Sequence, residues 1–182
     1  MKQYHRYQID FESKWLNYSV IAMAVSFFAT MVYYFGACNF ADLGFVKIVF
    51  GAILPALLSA GFVVLLKVKK WNAPGVYGMI YAGLCICGVV CCLLTGNPVQ
   101  IFLGVIFYLL GGFLVFCGMG GFLPGNLPII VFFAVGFAVK LIFFSGKLIS
   151  LGFIGSIALL AFYISACFLP LALKSGKRKP QQ

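Results

Sequence analysis

Runs of apolar residues, each about as long as a bilayer crossing and apolar on every face, occupy most of the chain. They are Leu16 to Cys38, Gly44 to Leu66, Pro74 to Thr95 and Pro98 to Met119, followed by a long stretch that Ser145, Gly146 and Lys147 divide into Leu127 to Phe144 and Leu148 to Leu169. A helix rises about 1.5 Å per residue, so roughly 20 apolar residues cross the hydrocarbon core. A spanning strand would instead alternate polar and apolar positions over about ten residues. The pattern predicts an all-α integral membrane protein of six transmembrane helices, arranged as three successive hairpins with short loops. Pro74 and Pro98 stand at two of the expected helix starts, where a missing N–H costs nothing. Leu43-Gly44, Leu103-Gly104 and Leu151-Gly152 mark the even-numbered helices, a pattern that suggests a repeated two-helix unit.

The polar and aromatic residues ahead of the first run have a period of their own. Tyr4, Tyr7, Phe11, Trp15 and Tyr18 fall on one helical face, which predicts either an interfacial helix over residues 1–15 with its rings at head-group level or an aromatic belt on a slightly extended first helix. The transmembrane domain is then expected at 16–170 and a basic tail at 171–182. The first apolar run exceeds the 7–15 residues usual for a signal peptide and is expected to be retained.

Composition agrees: 64% of residues are hydrophobic and 9% charged, whereas roughly a quarter are charged in a soluble domain. A net charge of +10 would suggest nucleic acid in a soluble protein, but here the cations are distributed by side. Lys2, Arg6 and Lys14 precede the first helix, Lys67, Lys69 and Lys70 separate the second from the third, and Lys174, Lys177, Arg178 and Lys179 follow the sixth. With six spans these ten lie on one face, which predicts a cytoplasmic (inner or plasma) membrane protein with both termini in the cytoplasm. No nucleic-acid partner is implied. The bilayer is the expected partner, and the basic tail can attract anionic head groups at about 1 kcal/mol per cation.

Chemistry inside the spans is sparse. Asp10, Glu12 and Asp42 lie outside the expected spans and His5 is the sole histidine, so neither an enzyme nor a carboxylate-driven pump is expected. Cys85 and Cys92 share one face of the third helix and Cys87 and Cys91 another, so their thiolates cannot converge on a metal. Together with Cys117 and Cys167 they read as small apolar residues, Cys38 lies near the outer surface, and no cofactor is expected. Apart from Lys47, counted with the outer end of the second run, Lys140 is the ionisable residue placed inside a span. Its stem can snorkel to the interface, which is preferred to a contact with an anionic ligand.

The spans do carry small residues in stripes: Gly104, Gly111 and Gly118 in the fourth helix, Ala22, Ser26 and Thr30 in the first, Ala52, Ala56 and Ala60 in the second. Such positions let helix backbones approach closely in lipid. Gly111 is expected in a tight contact, with Phe107 a turn away facing lipid. Pro55 removes a hydrogen bond to Gly51 and predicts a kink. The uncharged connection Gly120, Gly121, Phe122, Leu123, Pro124, Gly125 and Asn126 is a candidate cytoplasmic contact loop, either tucked into the protein or covered. These features favour a small non-catalytic accessory or scaffold subunit that packs against itself or a membrane partner. The alternative is a transporter or substrate-binding subunit for a neutral or hydrophobic solute.

Overall fold

The computed structural model describes residues 7–37, 44–94, 98–123, 125–144 and 151–175, with the side chains at 35–37, 100, 140, 142–144, 151–153 and 175 left out of the description. The chain is mostly helical, at 84%. Strand β1 (Tyr7–Ile9) leads into helices α1 (Lys14–Ala37), α2 (Phe45–Val68), α3 (Pro74–Leu93), α4 (Pro98–Met119), α5 (Leu127–Phe144) and α6 (Leu151–Leu171), and strand β2 (Leu173–Ser175) follows. Helices α1, α2, α3, α4 and α6 are long and apolar enough to cross a membrane. Helix α5 is as apolar but shorter, about 27 Å at the usual rise.

The hairpins α3–α4 and α5–α6 pack along their lengths, but the most extensive contact of α1 is with α6, which closes the bundle. The core between them is rich in rings. Phe62, Tyr77, Tyr81, Phe133 and Phe162 are buried, and Tyr81 meets Phe62 and Phe162 with ring centroids 5.4 Å and 5.8 Å apart. Exposed apolar side chains such as Ile21, Phe28, Phe102, Phe113 and Val135 cover the outside. Phe107, expected in lipid, instead stacks on Phe132 at 4.7 Å and touches Phe133 and Tyr163. Gly136 on α5 makes the room for it, since a Cβ there would lie 2.5 Å from the Phe107 ring.

Two irregularities depart from simple helices. In α2 the segments Val49–Ile53 and Val64–Val68 are π-helical. The first ends two residues before Pro55, so the hydrogen bond that proline cannot make is absorbed by a wider turn. The Leu-Gly pairs also fall at different places: Leu151 opens α6, Gly44 precedes α2, and Leu103-Gly104 lies well inside α4. The suggested two-helix repeat is therefore out of register.

Over Tyr7–Ile9 a strand stands where the interfacial helix is expected. β1 pairs antiparallel with β2, with Tyr7 opposite Ser175 and Ile9 opposite Leu173. Tertiary pairing outcompetes the aromatic period because it satisfies the backbone at the edge of the bundle: the Ile9 N–H donates to Asn72 Oδ1 at 2.8 Å and the Asp10 N–H to the Ala172 carbonyl at 2.9 Å. Ile9 is buried. Trp15 and Tyr18, the end of the expected stripe, are in α1 and pack against Phe168 of α6. Tyr4 lies outside the described residues.

An ion pair closes this clasp, with Lys174 Nζ 2.6 Å from Asp10 Oδ2. The hydrogen bond from Lys174 holds the Asp10 carboxyl below its ordinary 3.8, and the same bond holds Lys174 above its ordinary 10.5. Asp10 therefore contributes stability above about pH 4 that is lost as pH falls through its lowered value, and Lys174 contributes below about pH 10 and loses it as pH rises through its raised value. Spin labels at Gln8 and Trp71 are expected to report one short distance across the neutral range, broadening in acid. Asp10→Asn should broaden it at neutral pH, and an unchanged distance would show that backbone pairing suffices.

Candidate functional site: a cavity between the helices

A cavity of about 260 Å³ lies between α1, α2, α3 and α6, with Tyr108 reaching it from α4. It occupies the half of the bundle away from the β1–β2 clasp, because its lining begins at Ser26 on α1 and ends at Ser59 on α2. Its walls are aromatic and aliphatic, including Phe27, Tyr33, Phe50, Leu84 and Phe162. The polar side chains among them are the hydroxyls of Ser26, Thr30 and Ser59, the phenols of Tyr33, Tyr34 and Tyr108, and the thiols of Cys87 and Cys91, and no lining residue carries a charge.

The local sequence explains the opening. The π-helical turn before Pro55 widens α2 where it passes α1, and Gly51 in that turn lies against the Tyr34 ring with no room for a side chain. Gly88 admits the Tyr108 ring in the same way, at 2.8 Å from where a Cβ would stand. Ser26 donates to the Ala158 carbonyl at 2.7 Å and Thr30 to the Ser26 carbonyl at 2.7 Å. The first bond ties α1 to α6 at the cavity wall.

Toward the clasp lies a buried hydroxyl cluster joining three helices. Tyr81 on α3 and Ser165 on α6 are 2.6 Å apart, the Ser165 hydroxyl donates to the Ser19 carbonyl at 2.8 Å, and the Ser19 hydroxyl donates to the Ser165 carbonyl at 3.1 Å. The sequence does not single out Ser19, Tyr81 and Ser165, because neutral hydroxyls on three separate helices leave no local pattern that joins them. A signal was present: Ser19 and Ser26 lie seven residues apart on one face of α1.

The small-residue stripes are distributed among internal contacts. A Cβ on Gly104 would meet Cys92 of α3 at 2.5 Å, one on Gly111 would meet Phe132 and Phe133 of α5 at 3.1 Å, and Gly118 lies against Ile129 of α5. Ala22 and Ser26 are buried and Thr30 lines the cavity. On α2, Ala52 is buried, Ala56 lines the cavity and Ala60 is exposed. A four-residue spacing drifts about 40° per step around a helix, and Ser59 takes the inward place instead.

Cys85 packs beneath Gly112 and Cys92 beneath Gly104, both toward α4, while Cys87 and Cys91 face the cavity. Cys38 lies outside the described residues, as does the side chain of Lys140. The candidate contact loop is an ordered helix ending over its first residues. Gly121 has φ 80°, its N–H donates to the Gly118 carbonyl at 3.1 Å, and the Phe122 N–H donates to the Cys117 carbonyl at 2.9 Å. This pattern, with Phe122 stacked on Phe116, terminates helices that end in a left-handed glycine. Tyr7 of β1 donates to the Leu123 carbonyl at 3.4 Å and Asn126 to that of Pro170 at 3.4 Å. Strand β1 and the last turn of α6 thus cover part of the loop, and Pro124 lies outside the described residues.

No protein-family model matches the chain, and no curated protein or solved structure matches it.

Proposed function

We propose that the chain is a non-catalytic, six-span protein of the cytoplasmic (inner or plasma) membrane, with both termini in the cytoplasm, that holds a small neutral solute as a transporter or substrate-binding subunit. The observation that carries the solute reading is the uncharged, ring-lined cavity with a few hydroxyls at its wall, the usual character of a small-molecule site. A charged solute is disfavoured, because burying an ion without a partner is costly. The accessory-subunit reading drew its strength from the glycine stripes, and those glycines are occupied within the chain.

Two features support an even number of crossings. β1 pairs with β2, so the two ends of the helical region meet at one end of the bundle. Asn72 of the α2–α3 connection and Leu123 of the α4–α5 connection bond to β1 at that same end, which makes α5 a crossing if its neighbours are. The cations Lys14, Lys67, Lys69, Lys70 and Lys174 flank these segments, as expected for the cytoplasmic side.

The test is stabilisation of the purified chain in lipid nanodiscs by neutral aromatic solutes. Saturation at a hundred times Kd should stabilise it by about 2.7 kcal/mol. Gly155 stands at the cavity with Tyr33 3.5 Å from where a Cβ would lie, so Gly155→Leu should fit, take up part of the space and weaken the effect while preserving the fold. Stabilisation undiminished by Gly155→Leu, or none by any neutral solute, would overturn the reading. An external reporter signal from a fusion after Lys179 would overturn the topology.

A further inference from the structure

The hydroxyls around the cavity are not equivalent. The Ser26 proton is committed to the Ala158 carbonyl and the Thr30 proton to the Ser26 carbonyl, so both oxygens retain lone pairs and have no proton to give. Ser59 is different. It is 4% exposed and lines the cavity, yet among the described residues its hydroxyl has no hydrogen-bond partner. A buried serine without a partner is costly unless something else satisfies it. The cavity is the open space that the residue lines.

Six rings, those of Phe27, Tyr33, Tyr34, Phe50, Tyr108 and Phe162, make the remaining wall. They favour a flat aromatic guest through edge and stacking contacts. Size narrows the class further. A cavity of about 150 Å³ accommodates benzene, so one of about 260 Å³ has room for a ring with a two- or three-atom side chain.

Resting on the solute-binding reading above, we propose that the cavity recognises a neutral aromatic alcohol of about ten non-hydrogen atoms. Its oxygen accepts the Ser59 proton, and its own proton goes to a free lone pair of Ser26 or Thr30. Such a guest completes the buried Ser59 hydroxyl and places no charge among the rings.

The probes are 2-phenylethanol and its apolar counterpart propylbenzene, titrated into the full chain in lipid nanodiscs with protein-free nanodiscs as the partition control. The alcohol is expected to bind about three- to ten-fold more tightly, the worth of one neutral hydrogen bond. Ser59→Ala should weaken that preference while leaving propylbenzene affinity unchanged, and Ser59→Thr, which retains a hydroxyl, should preserve it. Equal affinity of the two probes, or a preference undiminished in Ser59→Ala, overturns the alcohol assignment and leaves the solute reading standing. Failure of both probes to bind the wild-type chain overturns both.

Discussion

Gly78→Leu is expected to destabilise the bundle by about 1–3 kcal/mol or to prevent its assembly, while Gly61→Leu leaves it intact. The difference lies in what surrounds each glycine. A Cβ on Gly78 would stand 3.0 Å from the Cβ of Met119, 3.4 Å from the Val115 carbonyl oxygen and 3.7 Å from the Cα of Phe116. None of these atoms can swing aside by changing rotamer, so α3 and α4 would have to separate. Gly118 is more forgiving, because its near neighbour is the terminal methyl of Ile129. Gly112 makes the reciprocal contact from α4, with Cys85 Cβ at 3.1 Å and the Cα of Ala82 at 3.7 Å from where its own Cβ would be. Glycines on both helices therefore bring the two backbones together, the basis of tight association in lipid. Gly61 meets nothing within 4 Å, and leucine there is a better helix former by roughly 0.5–1 kcal/mol. Unfolding in mixed micelles and retention of a monodisperse peak after heating would measure both variants. Similar losses would show that helix propensity, not the α3–α4 contact, governs the result.

The helices were legible because a backbone in lipid must satisfy itself and each apolar run has nearly the length of a crossing. Pro74 and Pro98 marked the starts of α3 and α4 to the residue. The strand pair was not legible, because Tyr7–Ile9 has a helical aromatic period and its partner lies some 165 residues away along the chain, a rough separation that no local pattern reports. The orientation of Phe107 failed for a related reason. In a helix apolar on every face, hydropathy cannot separate a ring packed against protein from one in lipid, and what decides here is Gly136 on another helix. Gly78 was not legible because no second glycine stands four or seven residues from it on α3. The cavity arises from Pro55, the π-helical turn and Tyr34 acting together, and the sequence offered Pro55 alone, as a kink.

The hydroxyl cluster should show strong coupling in a double-mutant cycle. In the wild-type chain the Ser165 hydroxyl gives its proton to the Ser19 carbonyl at 2.8 Å, so the 2.6 Å contact with Tyr81 is one in which Tyr81 donates and Ser165 accepts. Ser165→Ala removes that acceptor and leaves the Tyr81 hydroxyl buried. The alternative acceptor, Ser19 Oγ, is 3.4 Å away, too long for a good O–H···O bond without movement of α1. A stranded buried donor costs about 1–3 kcal/mol. Tyr81→Phe costs less, about 1 kcal/mol, because the Ser165 hydroxyl keeps its bond to the Ser19 carbonyl and loses one donor to a lone pair. In the double variant no phenol remains to be stranded, so its destabilisation should fall short of the sum by about 1 kcal/mol, somewhat above the average of about 0.6 kcal/mol for interhelical hydrogen bonds in membranes. Unfolding free energies of the four proteins in one micelle system measure the coupling. Strict additivity would mean that Tyr81 and Ser165 each find other partners, and the cluster would then be a set of neighbours rather than a bonded unit.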